Sequence, residues 1–358
     1  MNVYSTSENV GSEDQLNNFS LSQEMKSEIE LALNCSPSGG NCKPFLWKWI
    51  GDCELHITHD MQLAHHYLNR NNHTSYLALG CLLISIEVIA DKLNLAVETQ
   101  IDEAELATKV KFVNKTKTSS LSFLYSALKQ RSTYRGQFKK QQQKVSDFKS
   151  DMFFEGQEVV SREYIYFESL NSLFIKYLLK TESYMWIQKK ALIDFLAEIR
   201  FFSNKSSKKQ RKIASFELGV SIVDQILLAS LKRVPSLLSL MRQIPILNLP
   251  MKANVYKGLK NANFCLFRSQ SLKPQALIEV GKVAMLTWLE LEKQGYKVQP
   301  MSLSSIPVLD SLTGHLPDDT KASFTELFQR QSLEVFNGQF SENQELKPVW
   351  LFRFGVPK

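Results

Sequence analysis

The feature that most constrains the fold is a helix pattern that occurs twice. Residues 74–93 have the apolar spacing and the length of a helix, which Asn94 ends. Residues 275–294 repeat this pattern near the other end of the chain, and Gly295 ends it. When the first helix is aligned with the second, Asn94 falls on Gly295, and a short extended segment follows in both places. This self-similarity predicts two copies of one strand–helix–strand unit, although two unrelated helices of similar length would give the same pattern.

Strand signals flank both helices. Residues 45–50 and 54–58 precede the first helix, and residues 262–267 precede the second. The alignment places Leu77-Ala78-Leu79-Gly80 on Ile278-Glu279-Val280-Gly281. Helices combined with strands of this kind predict an α+β fold that is rich in helix and has antiparallel or mixed sheets.

Size and composition are those of an ordinary globular protein. The 358 residues are enough for about two domains or for one large composite domain. A hydrophobic content of 44% with 22% charged residues argues against a largely disordered chain. The net charge of +7 favours solubility or an anionic ligand over dedicated nucleic-acid binding. The basic run 204–212 has no interleaved aromatic residues, so we interpret it as a solvated loop and expect no nucleic-acid partner.

The sequence predicts a cytoplasmic protein. Its five cysteines are odd in number and lie mostly in apolar or strand-like segments, which favours reduced thiols. Residues 1–23 lack the basic start and the apolar centre of a secretory signal, and we expect them to form a flexible arm. The longest apolar stretch, 76–86, is shorter than the ~20 residues of a membrane span, so it predicts a buried helix and no membrane partner.

The middle of the chain is predicted to be helical. Mixed charge or apolar stripes at helical spacing recur there, and breakers separate them. The predicted helices are 121–130, 138–148, 164–179, 184–202 and 218–240. A loop near Pro245 and Pro250 would lead back to the second strand–helix–strand unit.

A polar loop between a helix predicted at residues 22–34 and the strand predicted at residues 45–50 has the composition of a binding loop. It spans 34–45, where Pro37 fixes one backbone angle and the pair Gly39-Gly40 lets the main chain approach a ligand closely. Short hydrogen-bonding groups beside that backbone are Ser36, Ser38 and Asn41. An ordinary turn has the same composition, and turn chemistry alone favours that interpretation.

Three further segments have candidate binding chemistry. In 131–138 two arginines flank small hydroxyls, which suits a phosphate because guanidinium groups and hydroxyls can surround its oxygens; two solvated arginines are the alternative. The segment 297–302 is extended and turns at a proline. Arg353 lies in the apolar strand 350–355 and requires a partner, which would be either a phosphate or a carboxylate.

No recognised metal or catalytic motif is found in the sequence. His56 and His59 are three residues apart on a predicted strand and would face opposite sides, and no cysteine pair or carboxylate spacing completes a ligand set. Walker loops, Gly-x-Ser-x-Gly elbows and Gly-x-Gly-x-x-Gly fingerprints do not occur. We therefore expect no metal site.

Taken together, the loop, the first helix, the arginine segment and the last strand resemble the nitroreductase family of flavin enzymes. Residues 36–45 are similar to that family's Ala-Pro-Ser-x-x-Asn-x-Gln-Pro-Trp loop, with lysine in place of glutamine and phenylalanine in place of tryptophan. Residues 77–95 resemble its central dimer helix. Arg131-Ser132-Thr133-Tyr134-Arg135 matches its Arg-x-Ser/Thr-x-Arg motif, and Phe352-Arg353-Phe354-Gly355 matches its terminal strand.

The order of these motifs resembles a branch of the family in which two halves are fused as a pseudo-dimer. In ordinary nitroreductases two chains pair and FMN lies between them. The resemblance implies a first half at 24–120 and a second half at 121–358, with a helical insertion at about 140–260. Because the sequence contains one Pro-Ser-x-x-Asn loop and one arginine motif, it also implies one complete FMN site.

The resemblance draws the FMN site from both halves. Arg131 and Arg353 would hold the phosphate. Thr133 would contact the ribityl–phosphate region, and Arg135 the pyrimidine edge of the ring. The segment 298–301 would lie near flavin N5, where a backbone donor can assist hydride exchange. The full set of implied cofactor-binding residues is Ser36, Pro37, Ser38, Asn41, Arg131, Thr133, Arg135, Pro300 and Arg353.

The implied activity is that of an FMN-dependent oxidoreductase acting on a small or peptide-derived organic substrate, with NAD(P)H as a candidate reductant. Similar fused domains accompany E1-like adenylating enzymes, which makes such a protein a candidate partner. The sequence has no evident acid or base catalyst, as expected where the flavin carries the redox chemistry. The alternative is a non-catalytic protein of the same fold that sequesters flavin or binds a partner.

Overall fold

The protein has the predicted α+β composition of helices and antiparallel sheets. The computed structural model describes residues 19–116, 121–140, 151–155, 158–202, 211–237, 255–340 and 345–358. Most of the predicted arm 1–23 lies outside these ranges. The first helix begins immediately after Ser22, whose hydroxyl accepts a hydrogen bond from the Met25 amide at 3.2 Å and caps it.

The helices and strands follow in three groups. The first group is α1 (Gln23–Cys35), β1 (Phe45–Ile50), β2 (Glu54–His59), α2 (Met61–Ala64), α3 (His73–Lys92), β3 (Leu95–Asp102) and β4 (Ala107–Asn114). The middle group is α4 (Tyr125–Gln130), β5 (Asp151–Glu155), β6 (Glu158–Ile165), α5 (Ser172–Glu182), α6 (Tyr184–Ile187), α7 (Lys189–Ala197), β7 (Ile199–Arg200), β8 (Ile213–Ala214) and α8 (Ile222–Arg233). The last group is β9 (Asn263–Ser269), α9 (Pro274–Lys293), β10 (Lys297–Pro300), α10 (Ser302–Leu312), α11 (Ala322–Glu326), α12 (Ser332–Gln339) and β11 (Lys347–Gly355).

Two antiparallel sheets have the same strand order around the long helices α3 and α9. The four-stranded sheet has the order β1-β2-β4-β3, and the five-stranded sheet has the order β10-β11-β9-β6-β5. In each sheet the strand that follows the long helix lies at the edge. The strand before the helix is the third strand from that edge. Between the two lies a strand from later in the chain, which is β4 in one sheet and β11 in the other. A small third sheet pairs β7 with β8 in parallel.

The helices α3 and α9 cross with their backbones in contact. A Cβ atom on Gly80 would lie 2.0 Å from the carbonyl oxygen of Ile278, and one on Gly281 would lie 2.2 Å from that of Leu77. The two contacts are reciprocal, because each glycine meets the residue that lies three positions before the other glycine. Only glycine permits such an approach. The two aligned segments of the sequence therefore meet in space.

Helix α3 is a core helix. Among the described residues it alone has the length and apolarity of a membrane span, and 83% of its apolar window is buried inside the protein. Its buried side chains share one hydrophobic core with α9 and both antiparallel sheets. A second core packs α5, α10 and α12 against β9 and β11. Because both faces of the five-stranded sheet are covered, β9 is buried along its whole length and β11 at every residue after Lys347.

The middle of the chain is less helical than predicted. Tyr164 and Ile165, predicted as the start of a helix, are the end of β6. This strand pairs with β9 on one side and β5 on the other. Its β-branched and aromatic residues suit a sheet position, so pairing between strands outweighs the helical spacing of the sequence.

Other helix predictions for the middle are correct only in part. The helix predicted at 184–202 is broken at Gln188 between α6 and α7, and its end forms β7. Helix α8 ends at Arg233, shortly before Pro235. In the helix predicted at 138–148, Phe138 forms an isolated β-bridge with Pro357, and 141–148 lie outside the described residues, as does the predicted loop near Pro245 and Pro250.

Candidate functional site

The binding loop has a defined backbone shape between α1 and β1. Three of its residues have left-handed φ angles: Gly40 at 55°, Asn41 at 58° and Lys43 at 48°. The Ser38 hydroxyl accepts a hydrogen bond from the Lys43 amide at 2.9 Å, which closes the turn. The loop is therefore an ordered turn whose backbone approaches its neighbours closely at Gly40.

The arginine segment, residues 131–138, runs along the edge of the five-stranded sheet. Thr133 bridges in parallel to Val298 of β10, and the Tyr134 amide donates to the Val298 carbonyl at 2.9 Å. Pro300, at the end of β10, pairs with Phe352. The Met301 amide donates to the Leu351 carbonyl at 2.7 Å, which continues the pairing of this segment with β11.

Arg131 attaches the arginine segment to the binding loop. Its Nε and Nη2 donate to the Cys35 carbonyl at 3.2 and 2.7 Å, and its guanidinium lies 4.4 Å from the ring centre of Trp288. Two polar atoms at this corner, Nη1 of Arg131 and Oγ of Ser36, are buried without a hydrogen-bond partner. Burial lowers the pKa of Arg131, and Glu292 is the carboxylate that opposes this shift. We refer to Ser36, Arg131 and the Cys35 carbonyl as the Ser36–Arg131 corner.

Arg353 is buried at the other end of the arginine segment, on β11. Its Nε donates to the Gln299 amide oxygen at 2.7 Å, its Nη2 donates to the Gly136 carbonyl at 3.3 Å, and its Nη1 donates to the Gly258 carbonyl. Burial lowers its pKa to about 10, an effect that the nearby Glu182 opposes. The protein itself therefore supplies the acceptors of this guanidinium.

Arg135 lies beneath residues from the middle of the chain. Its Nη1 donates to the Glu217 carbonyl at 3.3 Å. The carbonyl of Arg135 lies so close to Gly219, whose φ is +70°, that a Cβ there would be 2.7 Å from the carbonyl oxygen. Burial lowers the pKa of Arg135, and Glu217 and Glu198 raise it. The residues 215–219 thus cover this arginine.

Sequence reasoning missed two half-buried glutamates, Glu182 and Glu198, whose pKa values are raised. The Glu182 carboxylate accepts a hydrogen bond from the Ser304 hydroxyl at 3.0 Å, and burial raises its pKa to about 7. The Glu198 carboxyl carbon would lie 2.0 Å from a Cβ on Gly40, and burial together with Asp194 raises its pKa to about 8. Each is one of many glutamates in helical sequence, and nothing in the pattern marks it. Their raised pKa values distinguish the two, since other glutamates such as Glu279 are more deeply buried.

The structure joins the binding loop to the arginine segment. The loop contacts Arg131 through Cys35 and approaches Arg135 through Glu198. The charged neighbours of Arg353 are Glu182 and Arg135, whereas Arg131 interacts with Glu292, so these contacts group Arg353 with Arg135 rather than with Arg131. The joint assignment of Arg131 and Arg353 to one phosphate stays a prediction.

Replacing Glu198 with glutamine is expected to change how stability depends on pH. The folded carboxyl has a pKa of about 8 against an ordinary value of 4.5, so between these values the folded state holds a proton that the unfolded state releases. Stability from this group is therefore complete below about pH 4.5 and is lost as the pH rises towards 8, by at most about 1.4 kcal/mol per pH unit. Urea unfolding from pH 5 to 8 should show a flatter profile for Glu198→Gln. Equal slopes of stability against pH for the variant and the unaltered chain would contradict the raised pKa of Glu198.

In the described parts of the chain, the potential metal ligands form no metal centre and the cysteines form no disulfide. No group of three or more histidine, cysteine or acidic residues is arranged to hold a metal ion there. The His56 ring forms a hydrogen bond with the Glu54 carboxylate, and Nε2 of His59 lies 3.0 Å from the Ser75 hydroxyl. The five cysteines are unbridged.

Comparison of the chain with known proteins gives no family assignment. No model of a protein family matches it, and no curated protein matches it significantly.

Proposed function

We propose that this chain is an FMN-dependent oxidoreductase whose halves, 24–120 and 121–358, form a nitroreductase-like pseudo-dimer. Two observations support the pseudo-dimer: the shared strand order of the antiparallel sheets, and the reciprocal contacts of Gly80 and Gly281. Reciprocal contacts of this kind arise when two copies of one unit pack about a two-fold axis. The flavin would lie where the binding loop meets the arginine segment.

The Ser36–Arg131 corner is the observation that carries the proposal. Buried donors without a partner are rare in proteins, and this corner has two, Nη1 of Arg131 and Oγ of Ser36. A guanidinium beside a hydroxyl is a donor set that suits phosphate oxygens. The two residues therefore fit the phosphate of FMN, which would complete hydrogen bonds that the chain alone leaves unmade.

The residues of the chain would bind and orient the cofactor. Bound FMN would supply hydride or electron transfer. Arg131 and Ser36 would hold its anionic end, Thr133 and Pro300 would line the edge of β10, and the covered guanidinium of Arg135 would supply positive charge. The remaining side chains around the site, which the middle of the chain covers, would exclude water from it.

The remaining parts of the proposal concern substrate, partners and location. A small or peptide-derived organic substrate and NAD(P)H are the proposed reactants, and the net charge of +7 favours anionic ligands of this kind. An E1-like adenylating protein as partner rests on analogy between fused proteins of this type. Reduced thiols and a cytoplasmic location belong to the same proposal.

The test is the flavin content of the purified protein. We expect a yellow protein that releases FMN on heating, and an Arg131→Ala variant that binds added FMN about 100-fold more weakly, because a charge-assisted phosphate contact is lost. Arg233→Ala, which removes an exposed arginine of α8, is the matched control and should bind as the unaltered chain does. A colourless protein that also fails to take up added FMN would refute the proposal.

A second candidate is a non-catalytic protein of the same fold that sequesters flavin or binds a partner. Two observations favour it: the protein's own acceptors surround Arg353, and Glu198 rests on the loop at Gly40. It predicts that bound flavin is not reduced by NADH or NADPH. Anaerobic bleaching of the flavin absorbance by either nucleotide would exclude this candidate in favour of the enzyme.

A further inference from the structure

Helix α9 brings two further polar side chains to the Ser36–Arg131 corner. The Arg131 guanidinium, which donates to the Cys35 carbonyl, lies 4.4 Å from the ring centre of Trp288. Glu292 follows Trp288 by four residues on α9, so the two side chains lie on the same face of the helix. Glu292 also interacts electrostatically with Arg131. An indole and a carboxylate therefore adjoin the arginine and the serine of the corner.

Each of these four side chains has a buried polar atom that the described residues leave without a hydrogen-bond partner. The atoms are Oγ of Ser36, Nη1 of Arg131, Nε1 of Trp288 and Oε2 of Glu292. Ser36 is 8% exposed, Trp288 0% and Glu292 6%. Buried polar groups nearly always have a partner, so four such atoms around one corner indicate a bound group that supplies the missing partners.

The Glu292 carboxylate determines what that group must offer. Its Oε1 pairs with Lys297 of β10, and within the described chain it forms no ion pair with Arg131. An ionised carboxylate oxygen accepts hydrogen bonds and cannot donate, so the partner of Oε2 must carry a hydrogen. The guanidinium and the indole, in contrast, only donate. The group that fits the corner therefore accepts hydrogen bonds at some of its atoms and donates one at another.

We propose that Glu292 accepts a hydrogen bond from a protonated oxygen of the ligand's phosphate, while Arg131 and Trp288 donate to its other oxygens. This inference rests on the proposed function, in which the corner holds the phosphate of FMN. The second pKa of a phosphate monoester is about 6, so its monoanion, which carries one hydroxyl, is available near neutral pH. Sulfate has the same shape but carries no proton at this pH. Glu292 is therefore a specificity-determining residue that selects a protonated phosphate and rejects sulfate.

The charged groups around Glu292 attract either form of the anion. The cations come from three segments and the thiols from α1 and α3, and together they are Arg131, Lys43, Lys297, Cys35 and Cys81. Only the Glu292 oxygen distinguishes the two forms. An unprotonated phosphate oxygen would face it as a second acceptor, and Oε2 would stay without a donor at the cost of a buried unpaired group.

The first measurement compares the two anions on flavin-free protein in buffers that contain neither. Thermal shift at pH 6.5 and equal ionic strength should show that inorganic phosphate binds about 30-fold more tightly than sulfate, because one charge-assisted hydrogen bond is formed by phosphate alone. This comparison uses the unaltered chain and does not depend on the folding of any variant.

The second measurement follows FMN affinity by fluorescence from pH 6 to 8. If the corner binds the monoanion, affinity should weaken about tenfold for each pH unit above about 6, as the phosphate loses its proton. Glu182 and Glu198 titrate in the same range, at about 7 and about 8. Riboflavin, which has the same ring and no phosphate, measures their effect and should not show the tenfold slope.

Two variants assign the selectivity to its residues. Glu292→Gln supplies an amide that can donate to an unprotonated oxygen, so sulfate should bind within about threefold of phosphate, and the pH slope of FMN should match that of riboflavin. Trp288→Phe keeps a ring beneath Arg131 and removes the Nε1 donor, so both anions should bind about tenfold more weakly with their ratio unchanged. Glu105→Gln, which alters an exposed glutamate, is the control and should change neither quantity.

The outcomes separate this inference from the proposed function. Tight FMN binding with no preference for phosphate over sulfate, and with the pH slope of riboflavin, would overturn the inference and leave the flavin proposal standing. If no form binds FMN, yet phosphate is preferred and Glu292→Gln abolishes the preference, the flavin proposal fails and the inference is supported. A preference that survives Glu292→Gln would overturn the inference. Binding of neither FMN nor phosphate would overturn both.

Discussion

Alanine at Gly80 or at Gly281 is expected to destabilise the protein by about 3–5 kcal/mol, the scale of severe overpacking in a core. The added Cβ would lie 2.0 Å from the Ile278 carbonyl oxygen in one case and 2.2 Å from the Leu77 carbonyl oxygen in the other. These neighbours are helix backbone, which cannot move aside as a flexible side chain can. Chemical denaturation followed by circular dichroism measures the loss.

Gly338 is the matched control for this prediction. It lies in α12, and a Cβ atom there would meet nothing within 4 Å. Alanine at this position should therefore stabilise the protein by about 0.5–1 kcal/mol through helix propensity alone. If Gly80→Ala behaved like Gly338→Ala, α3 and α9 would not be in backbone contact, and the support that this crossing gives the pseudo-dimer would be lost.

Methionine at Arg353 is expected to cost about 3 kcal/mol of stability. Because Arg353 fastens the arginine segment to β11 through the Gly136 carbonyl, its loss should also weaken FMN uptake under the proposed function. Arg353 is 4% exposed, and its guanidinium donates to the carbonyls of Gly136 and Gly258 and to the side chain of Gln299. Methionine fills similar volume but leaves those buried acceptors without donors. Unfolding in urea and FMN titration of the same preparation measure the two effects.

Two further variants separate charge from geometry at this position. Arg353→Lys keeps the charge but cannot reach three acceptors at once, so it should recover only part of the stability. Arg330→Met removes an exposed arginine and should change stability by less than about 0.5 kcal/mol. Full stability of Arg353→Met would mean that the arginine does not fasten the arginine segment to β11.

Much of the candidate site could be located from the sequence because its residues lie in short, unusual segments. Glycine, proline and serine between a helix and a strand marked the loop, and Arg353 stood out as a charge in an apolar strand. The contact between Arg131 and the Cys35 carbonyl joins two such segments in space. Glu182 and Glu198 could not be found in this way, since a glutamate in a helical pattern is ordinarily solvated.

The sequence by itself determined the long helices, their ends and the strands beside them, because apolar periodicity and breakers act locally. The helix predicted at 74–93 corresponds to α3 (His73–Lys92), and the one at 275–294 corresponds to α9 (Pro274–Lys293). Tertiary structure alone decided that β6 is a strand, because its pairing with β9 outweighs local spacing. It also decided that Glu198 rests on Gly40, because burial by residues distant in sequence determines both where that carboxyl lies and whether it is charged.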